Sequence, residues 1–303
     1  MPYHLETTSG RAAVLQGYLF IVAAAVLWGV LGPFSRYAFS HGIAPLEVAF
    51  WRATLAWGLF AVHAVVIRET CVERRDIGHL IVFGVLGVAV FFGSYQVAVE
   101  RGGAALASVL LYTGPAWVTV LARLLFREKL SLIKLLALGM TLSGVVAAAF
   151  GGGNNGLGAE NLNLLAIGAG LASGFCYSLY YIYGKHFSGR YSSPNLFLYL
   201  LPVGALALYP LVDFSHKTID VWIVLIVLAF FSTYGAYFFY YLGLRRLEAS
   251  RASITATLEP VVAAVVAFFW WNERFGVIGY LGSVLIIAAV ILVVWDGAKK
   301  KPA

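Results

Sequence analysis

The chain has 303 residues, of which 61% are hydrophobic and only 12% are charged, and its formal net charge is +7. A soluble domain carries about 25% charged residues, so this chain cannot cover itself with a water-exposed surface. The composition excludes an ordinary soluble enzyme and indicates a protein whose partner is a lipid bilayer.

Apolar stretches of about 20 residues, the length that crosses a bilayer as a helix, follow one another along the whole chain. Ten of them are joined by short connectors, which leaves no separate soluble domain to carry chemistry. The sequence therefore predicts an all-α polytopic membrane protein. The ten predicted spans lie near 15–39, 44–67, 77–99, 103–126, 131–150, 161–187, 194–213, 219–244, 249–271 and 276–295.

Basic residues are distributed unevenly between the two sides that these spans define. If the amino terminus lies in the cytoplasm, sixteen of them fall on the cytoplasmic side and four on the other. Cytoplasmic loops carry an excess of Lys and Arg, so both termini are predicted to be cytoplasmic. We expect the membrane to be the cell inner membrane. The basic tail at 296–303 can then lie against anionic lipid headgroups. The positive charge reflects topology, and no nucleic-acid partner is expected.

An internal repeat relates the two halves of the chain. Residues 101–129 match residues 246–274 at an offset of 145, with eight identities in 29 positions that include Pro115 with Pro260. Chance should give roughly two or three in so apolar a composition. A weaker match at an offset of 149 extends the repeat to the earlier spans of each half.

The repeating unit is five spans, with one copy at 1–150, a linker at 151–160 and a second copy at 161–295. Because five is odd, the second copy must enter the membrane from the opposite side. Two inverted copies around a central cavity are typical of carriers that expose one site to each side in turn. A duplicated passive scaffold is the alternative, but antiparallel duplication favours transport.

Four segments carry a family resemblance: AAAVLWGVLGPFSRYAF, FWRATLA, GPAWVTVLARLLFREKLS and LEPVVAAVVAFFWWNERFG. They resemble the drug/metabolite transporter superfamily, specifically its ten-helix EamA-type members, over essentially the whole chain. Within that family the chain is most similar to YddG-type exporters of aromatic and other amino acids. The resemblance implies that spans 1, 3, 4, 6, 8 and 9 line a central cavity and that spans 5 and 10 lie at the periphery. It also implies secondary export of aromatic and other neutral amino acids by alternating access. A carrier of another small organic metabolite or drug is the alternative.

Two charged residues, Arg52 and Glu259, are predicted near the bilayer centre, about 12 Å and 15 Å from the ends of their spans. Charges at that depth are costly and are candidates for function. On antiparallel paths the two could form a structural ion pair, Glu259 could take up a proton, or the pair could orient an amino-acid zwitterion. No histidine is expected at mid-depth, which leaves facilitated transport with weak or no proton coupling open.

Aromatic side chains are abundant, and depth along the spans divides them into two groups. An aromatic-lined cavity with few charges suits amphipathic organic solutes better than phosphates, which would need converging Lys or Arg. The deeper residues, which are candidates for lining the cavity, are Trp28, Tyr112, Trp117, Tyr177, Tyr234 and Tyr237. The residues expected in an interfacial belt are Tyr180, Tyr181, Tyr183 and Tyr241.

Two pairs of residues occupy equivalent positions in the two copies. Pro115 and Pro260 are predicted to kink spans 4 and 9 beside the cavity, with a bend that only improves packing as the alternative. Tyr95 and Tyr240 are hypothesised to be the outer and inner gate residues, with two interfacial tyrosines as the alternative.

Other classes of protein are disfavoured. An intramembrane enzyme would need a Ser/His, paired-Asp or zinc-ligand set at one depth, and the sequence offers none. We therefore expect no enzyme activity, no metal and no cofactor. A channel usually assembles as a ring around a selectivity filter. Symmetry within one chain instead favours a monomeric carrier of small molecules.

Overall fold

A computed structural model describes residues 10–150, 164–272 and 276–299, and within those ranges the chain is helical with no strands. The linker at 151–160 and residues 300–303 of the predicted tail lie outside the described residues. Ten helical segments are long and apolar enough to cross a membrane, which confirms the predicted number. Spans 1 to 10 are Ala12–Ser40, Pro45–Val66, Arg74–Gly103, Leu106–Phe126, Leu132–Ala149, Leu164–Phe187, Ser193–Leu211, Ile219–Leu244, Ala249–Trp270 and Val277–Lys299.

Several spans consist of more than one helix. The α-helices are Gly10–Gly29, Leu31–Ser40, Pro45–Val66, Arg74–Gly84, Phe91–Leu111, Gly114–Phe126, Leu132–Phe150, Leu164–Phe187, Ser193–Leu208, Ile219–Val227, Ala236–Leu244, Ala249–Ala256, Glu259–Trp271 and Val277–Lys299. A short 3₁₀ helix at Tyr209–Leu211 ends span 7. Gly103, with φ of 81°, turns the chain between spans 3 and 4, a conformation that glycine adopts without steric strain.

Spans 4 and 9 are broken at equivalent positions. The first helix of span 4 ends at Leu111 and the second begins at Gly114, while in span 9 the break separates Ala256 from Glu259. Pro115 and Pro260 lie in the first turn of the second helices, where a missing backbone N–H removes no helical hydrogen bond. Each of these spans is thus two helices in sequence, with the proline at the start of the second one.

Spans 3 and 8 contain π-helical segments, Val85–Val90 and Leu228–Gly235, which overlap at the offset of 145 residues. A π-helix bonds i to i+5, and such segments are frequent at functional sites. In span 3 the Gly87 carbonyl accepts a 2.7 Å hydrogen bond from the Tyr180 hydroxyl. This contact connects span 3 to span 6.

The helices of the first half pack mainly against helices of the second half. Span 1 packs on span 8, span 2 on span 7, span 4 on spans 6 and 9, and span 5 on span 10. Spans 5 and 10 pack closely at Gly144, where a Cβ atom would lie 2.8 Å from the carbonyl oxygen of Gly282. The outer faces keep large apolar side chains exposed, such as Leu124 and Phe269, as a lipid-facing surface requires.

Candidate functional site

Arg52 lies in span 2 and is 8% exposed. Its Nε–H donates a 3.2 Å hydrogen bond to Oγ1 of Thr233 in the π-helical segment of span 8. The ring centroid of Phe92 lies 6.0 Å from the guanidinium carbon, within the range of a cation–π contact. Tyr180 and Tyr237 also interact electrostatically with the guanidinium. Arg52 therefore sits where spans 2, 3, 6 and 8 meet.

Glu259 is the first residue of the second helix of span 9, directly after the break. A carboxylate is stabilised at a helix amino terminus by the helix dipole and the unpaired N–H groups. The side chain is half-buried, and the Tyr112 hydroxyl, from the matching break in span 4, interacts with it. The two helix breaks thus bring together a carboxylate from one half and a phenol from the other.

Arg52 and Glu259 interact electrostatically, but they do not form an ion pair within 4.0 Å. The two terminal nitrogens of Arg52 hydrogen-bond to no residue in the described part of the chain. In that part, the fully buried side-chain atoms without a partner belong to Thr141, Asn195, Ser232 and Tyr241. No atom of Arg52 or Glu259 is among them; Arg52 is 8% exposed and Glu259 is half-buried. Of the alternatives for this pair, a direct ion pair between the two side chains is not seen in the structure.

A cluster of tyrosines surrounds these two charges. The Tyr177 and Tyr181 hydroxyls lie 3.1 Å apart, and both side chains interact with Glu259. Tyr237 interacts with both Arg52 and Glu259, and its ring stacks on Tyr180 at 5.3 Å between centroids. Trp28 completes the cluster, with its ring centroid 5.5 Å from that of Tyr237. Trp28, Tyr112, Tyr177 and Tyr237, all candidates from sequence, are thus brought together around Arg52 and Glu259.

Two other candidates from sequence lie apart from this cluster. Trp117 is 37% exposed and packs edge to face on Phe175, which is equally exposed, so both rings lie on the outer surface. The Tyr234 hydroxyl is 2.8 Å from Nδ1 of His63, and its ring contacts Phe60. The sequence gives the depth of each residue in its span but not the direction of its side chain. That direction is set by the break in span 4 for Trp117 and by the π-helical segment in span 8 for Tyr234. The structure therefore does not bring Trp117 and Tyr234 together with the cluster around Arg52 and Glu259.

The two candidate gate residues have different environments. Tyr240 is 1% exposed, its hydroxyl donates a 2.8 Å hydrogen bond to the Tyr180 carbonyl, and its ring contacts Trp28. Tyr95 is half-buried, with its hydroxyl 3.4 Å from Oγ of Ser108. Tyr240 is thus sealed beneath the cluster, while Tyr95 keeps access to solvent.

Several residues of the site were not found from sequence. Tyr180 and Tyr181 were assigned to an interfacial belt, but both are buried in the centre, with exposures of 4% and 1%. Their distance from the end of span 6, six to seven residues or about 10 Å, already places them deeper than a belt. Thr233 lies 181 residues from Arg52 in the chain, and no sequence pattern links the two.

A buried polar network lies where the loop between spans 4 and 5 meets the start of span 9. Arg251 binds Asp296 of span 10 at 2.5 Å and Glu248 at 2.6 Å, and Nζ of Lys134 lies 2.9 Å from Glu248. The Glu128 carboxylate accepts a hydrogen bond from the backbone N–H of Ala249. We call Glu128, Lys134, Glu248, Arg251 and Asp296 the end network, since it closes one end of the molecule.

The described residues contain no group of His, Cys, Asp and Glu side chains that could hold a metal ion. What they provide is ten spans long and apolar enough to cross a membrane, with two opposite charges inside them that form no direct ion pair, an arrangement typical of a polytopic membrane transporter. The EamA-like transporter family model matches residues 15–150 and 164–295. The chain belongs to this family, within the drug/metabolite transporter superfamily.

Related proteins are named as transporters. An uncharacterized transporter of Archaeoglobus fulgidus is 29% identical over 91% of this chain and 95% of its own length. The uncharacterized inner membrane transporter YicL of Salmonella typhimurium is 24% identical over 95% and 98%. A "Probable terminal-alkyne amino-acid exporter" of Streptantibioticus cattleyicolor is 24% identical over 90% and 91%. A crystal structure with 17% identity has a TM-score of 0.76 over 93% of this chain and 96% of the other, and supports the fold.

Proposed function

We propose that the chain is a secondary transporter that exports neutral amino acids, aromatic ones included, across the cell inner membrane. One observation carries this proposal: Arg52 and Glu259 face the same region with opposite charges and without a direct ion pair. A zwitterion supplies both missing partners, because its carboxylate pairs with the guanidinium and its ammonium pairs with the carboxylate. A solute with one charge would leave the other buried charge without a partner.

The surrounding rings favour an organic solute. Tyr177 and Tyr237, which are both half-buried, offer ring surface for an apolar or aromatic side chain and hydroxyls for its polar atoms. The exporter from Streptantibioticus cattleyicolor, whose name states an amino-acid cargo, supports the same class of substrate. A small organic metabolite or drug of similar size is the alternative cargo.

We further propose that access alternates between two inverted five-span copies, 1–150 and 161–295, with both termini in the cytoplasm and one chain as the working unit. Equivalent helix breaks in spans 4 and 9 and overlapping π-helical segments in spans 3 and 8 support this proposal. Tyr95 and Tyr240 would be the gates on the two sides. The sealed Tyr240 and the more open Tyr95 then correspond to a state closed at the inner gate.

Efflux from proteoliposomes loaded with labelled phenylalanine, leucine or lysine, with and without a pH gradient, tests the function. We expect saturable efflux of phenylalanine and leucine, little efflux of lysine, and a weak effect of the gradient. Arg52→Gln and Glu259→Gln should each lower phenylalanine efflux at least tenfold, since each leaves one end of the zwitterion unpaired. Glu100→Gln, at an exposed position, is the control. Absence of efflux for every amino acid would refute the proposed cargo.

A further inference from the structure

Arg52 is held from the opposite half of the chain by a single neutral hydroxyl. Its Nε–H donates to Oγ1 of Thr233 at 3.2 Å, and the two residues are 8% and 3% exposed. A buried guanidinium usually has an acidic partner, because a charge without one is costly to bury. The described ion pairs include none with Arg52, so the hydroxyl fixes the orientation of this charge without neutralising it.

The orientation determines which nitrogens are free. A guanidinium has five N–H groups in a planar fork, and Thr233 accepts from the one on Nε. The four N–H groups on the two terminal nitrogens have no hydrogen-bond partner in the described part of the chain. Two terminal nitrogens side by side match the two oxygens of a carboxylate and bind it through two parallel hydrogen bonds.

The π-helical segment of span 8 offers two neighbouring hydroxyls, and it uses them differently. Thr233 binds Arg52, whereas Oγ of the adjacent Ser232 is fully buried and has no partner in the described part of the chain. Both residues are nearly inaccessible, with exposures of 1% for Ser232 and 3% for Thr233. The contact with Arg52 is therefore specific to one position, and Ser232 provides a matched control.

We propose that Thr233 is a positioning residue that holds Arg52 by Nε so that its terminal nitrogens face the substrate carboxylate. Thr233 thereby makes the site selective for solutes that carry a carboxylate over amines with the same side chain. This inference rests on the proposed function, because it assigns Arg52 to the carboxylate end of the substrate. The hydroxyl itself does not contact the substrate; it restricts the rotation of the guanidinium.

The test compares Thr233→Val, which keeps the shape of the side chain and removes the hydroxyl, with Thr233→Ser, which restores the hydroxyl. Transport of phenylalanine is measured beside that of 2-phenylethylamine, which lacks the carboxylate. We expect Thr233→Val to raise KM for phenylalanine roughly tenfold with little change in maximal rate, and to leave the weaker transport of the amine within twofold of that by the unmodified protein. Thr233→Ser should regain most of the loss, and Ser232→Ala should behave as the unmodified protein. Equal changes for both solutes, or no change for phenylalanine, would overturn the proposal.

Ligand-induced thermal stabilisation of the purified protein separates this proposal from the proposed function. The probes are phenylalanine, 2-phenylethylamine and 3-phenylpropanoate, which has the carboxylate without the ammonium. The positioning role is supported if phenylalanine and 3-phenylpropanoate stabilise the unmodified protein, if Thr233→Val abolishes this stabilisation and if Thr233→Ser restores it. This result would count even if no amino acid is transported. Stabilisation by these carboxylates that survives Thr233→Val, or its absence in the unmodified protein, contradicts that role. Circular dichroism of Thr233→Val before the assay distinguishes a folded variant from a misfolded one.

Discussion

Glu128 caps span 9 from the other half of the chain: its carboxylate accepts a 2.7 Å hydrogen bond from the backbone N–H of Ala249. The backbone N–H and the hydroxyl of Ser250 donate to the same carboxylate. The first N–H groups of a helix have no partner within the helix. A carboxylate at this end accepts hydrogen bonds from them and interacts favourably with the positive end of the helix dipole. Glu128 thus connects the end of span 4 to the start of span 9.

We predict that Glu128→Ala destabilises the protein by about 3–5 kcal/mol, the usual effect of removing one member of a buried charged cluster. Lys134, which is 1% exposed, would lose one of its two acidic neighbours. Thermal unfolding in detergent should show the loss as a lower midpoint temperature. Glu100→Gln removes an exposed carboxylate beside Arg101 and should change stability by less than about 1 kcal/mol. Equal midpoints for the two variants would contradict a stabilising role for Glu128.

The contact between spans 5 and 10 depends on Gly144. A Cβ atom there would lie 2.8 Å from the Gly282 carbonyl oxygen, whereas a Cβ atom on Gly139, one and a half turns earlier in the same span, would meet nothing within 4 Å. We predict that Gly144→Ala destabilises the protein by about 1–3 kcal/mol through overpacking. Gly139→Ala should be neutral or slightly stabilising, because alanine is the better helix former. Equal changes in midpoint temperature for the two variants would show that this close contact does not determine the effect.

Sequence makes Trp28 and Trp117 both candidates for lining the cavity, but their surroundings in the structure differ. We therefore expect substitutions of the two residues to have different effects on transport. Trp28 is buried against Tyr237 and Tyr240, while Trp117 faces outward beside Phe175. We predict that Trp117→Leu keeps KM and maximal rate within twofold, and that Trp28→Leu lowers transport at least tenfold. Equal effects of the two substitutions on phenylalanine efflux would return Trp117 to the candidate site.

The lipid environment explains which parts of this structure could be predicted from sequence. A bilayer requires about 20 apolar residues per span and full backbone hydrogen bonding, so the ten helices follow from composition alone. The breaks in spans 4 and 9 are indicated by Pro115 and Pro260. The π-helical segments Val85–Val90 and Leu228–Gly235 have no such marker, since neither contains proline and their sequences differ.

The candidate site was only partly predictable for a related reason. Sequence gives the depth of a residue in a span, and this sufficed to identify Arg52 and Glu259 as candidates. The direction of a side chain depends on the helical phase, which a break or a π-helical segment changes. For this reason sequence could not show that Tyr234 and Trp117 lie apart from the tyrosine cluster. Thr233 could not be found at all, because its role follows from contact with a residue 181 positions away.

The candidate gates Tyr95 and Tyr240 should respond differently to loss of their hydroxyl groups. Tyr240→Phe leaves the Tyr180 carbonyl without its 2.8 Å donor in a sealed environment, and we expect a loss of stability of about 1 kcal/mol. Tyr95→Phe removes a 3.4 Å contact with Ser108 at a half-buried position and should change stability less. If these residues are gates, both alanine variants will also alter transport rate and the labelling of cysteines introduced beside them. Unchanged rates and labelling in both would refute the gating role.

Glu248 provides a pH-dependent contribution to stability through the end network. Burial opposes its ionisation, but hydrogen bonds and charges from Lys134 and Arg251 outweigh that effect and hold the pKa of this carboxyl below its usual value. A carboxyl with a lowered pKa in the folded state stabilises the protein above its unfolded pKa, about 4.3 for Glu, and loses this contribution as pH falls through the folded value. Glu248→Gln removes the titrating group, so the difference in midpoint temperature between the two proteins should be largest near pH 7 and shrink towards pH 3. Glu69→Gln, at an exposed position, should show no such trend. A difference for Glu248→Gln that stays constant between pH 7 and pH 3 would mean that the ionised carboxylate is not what stabilises this end of the molecule.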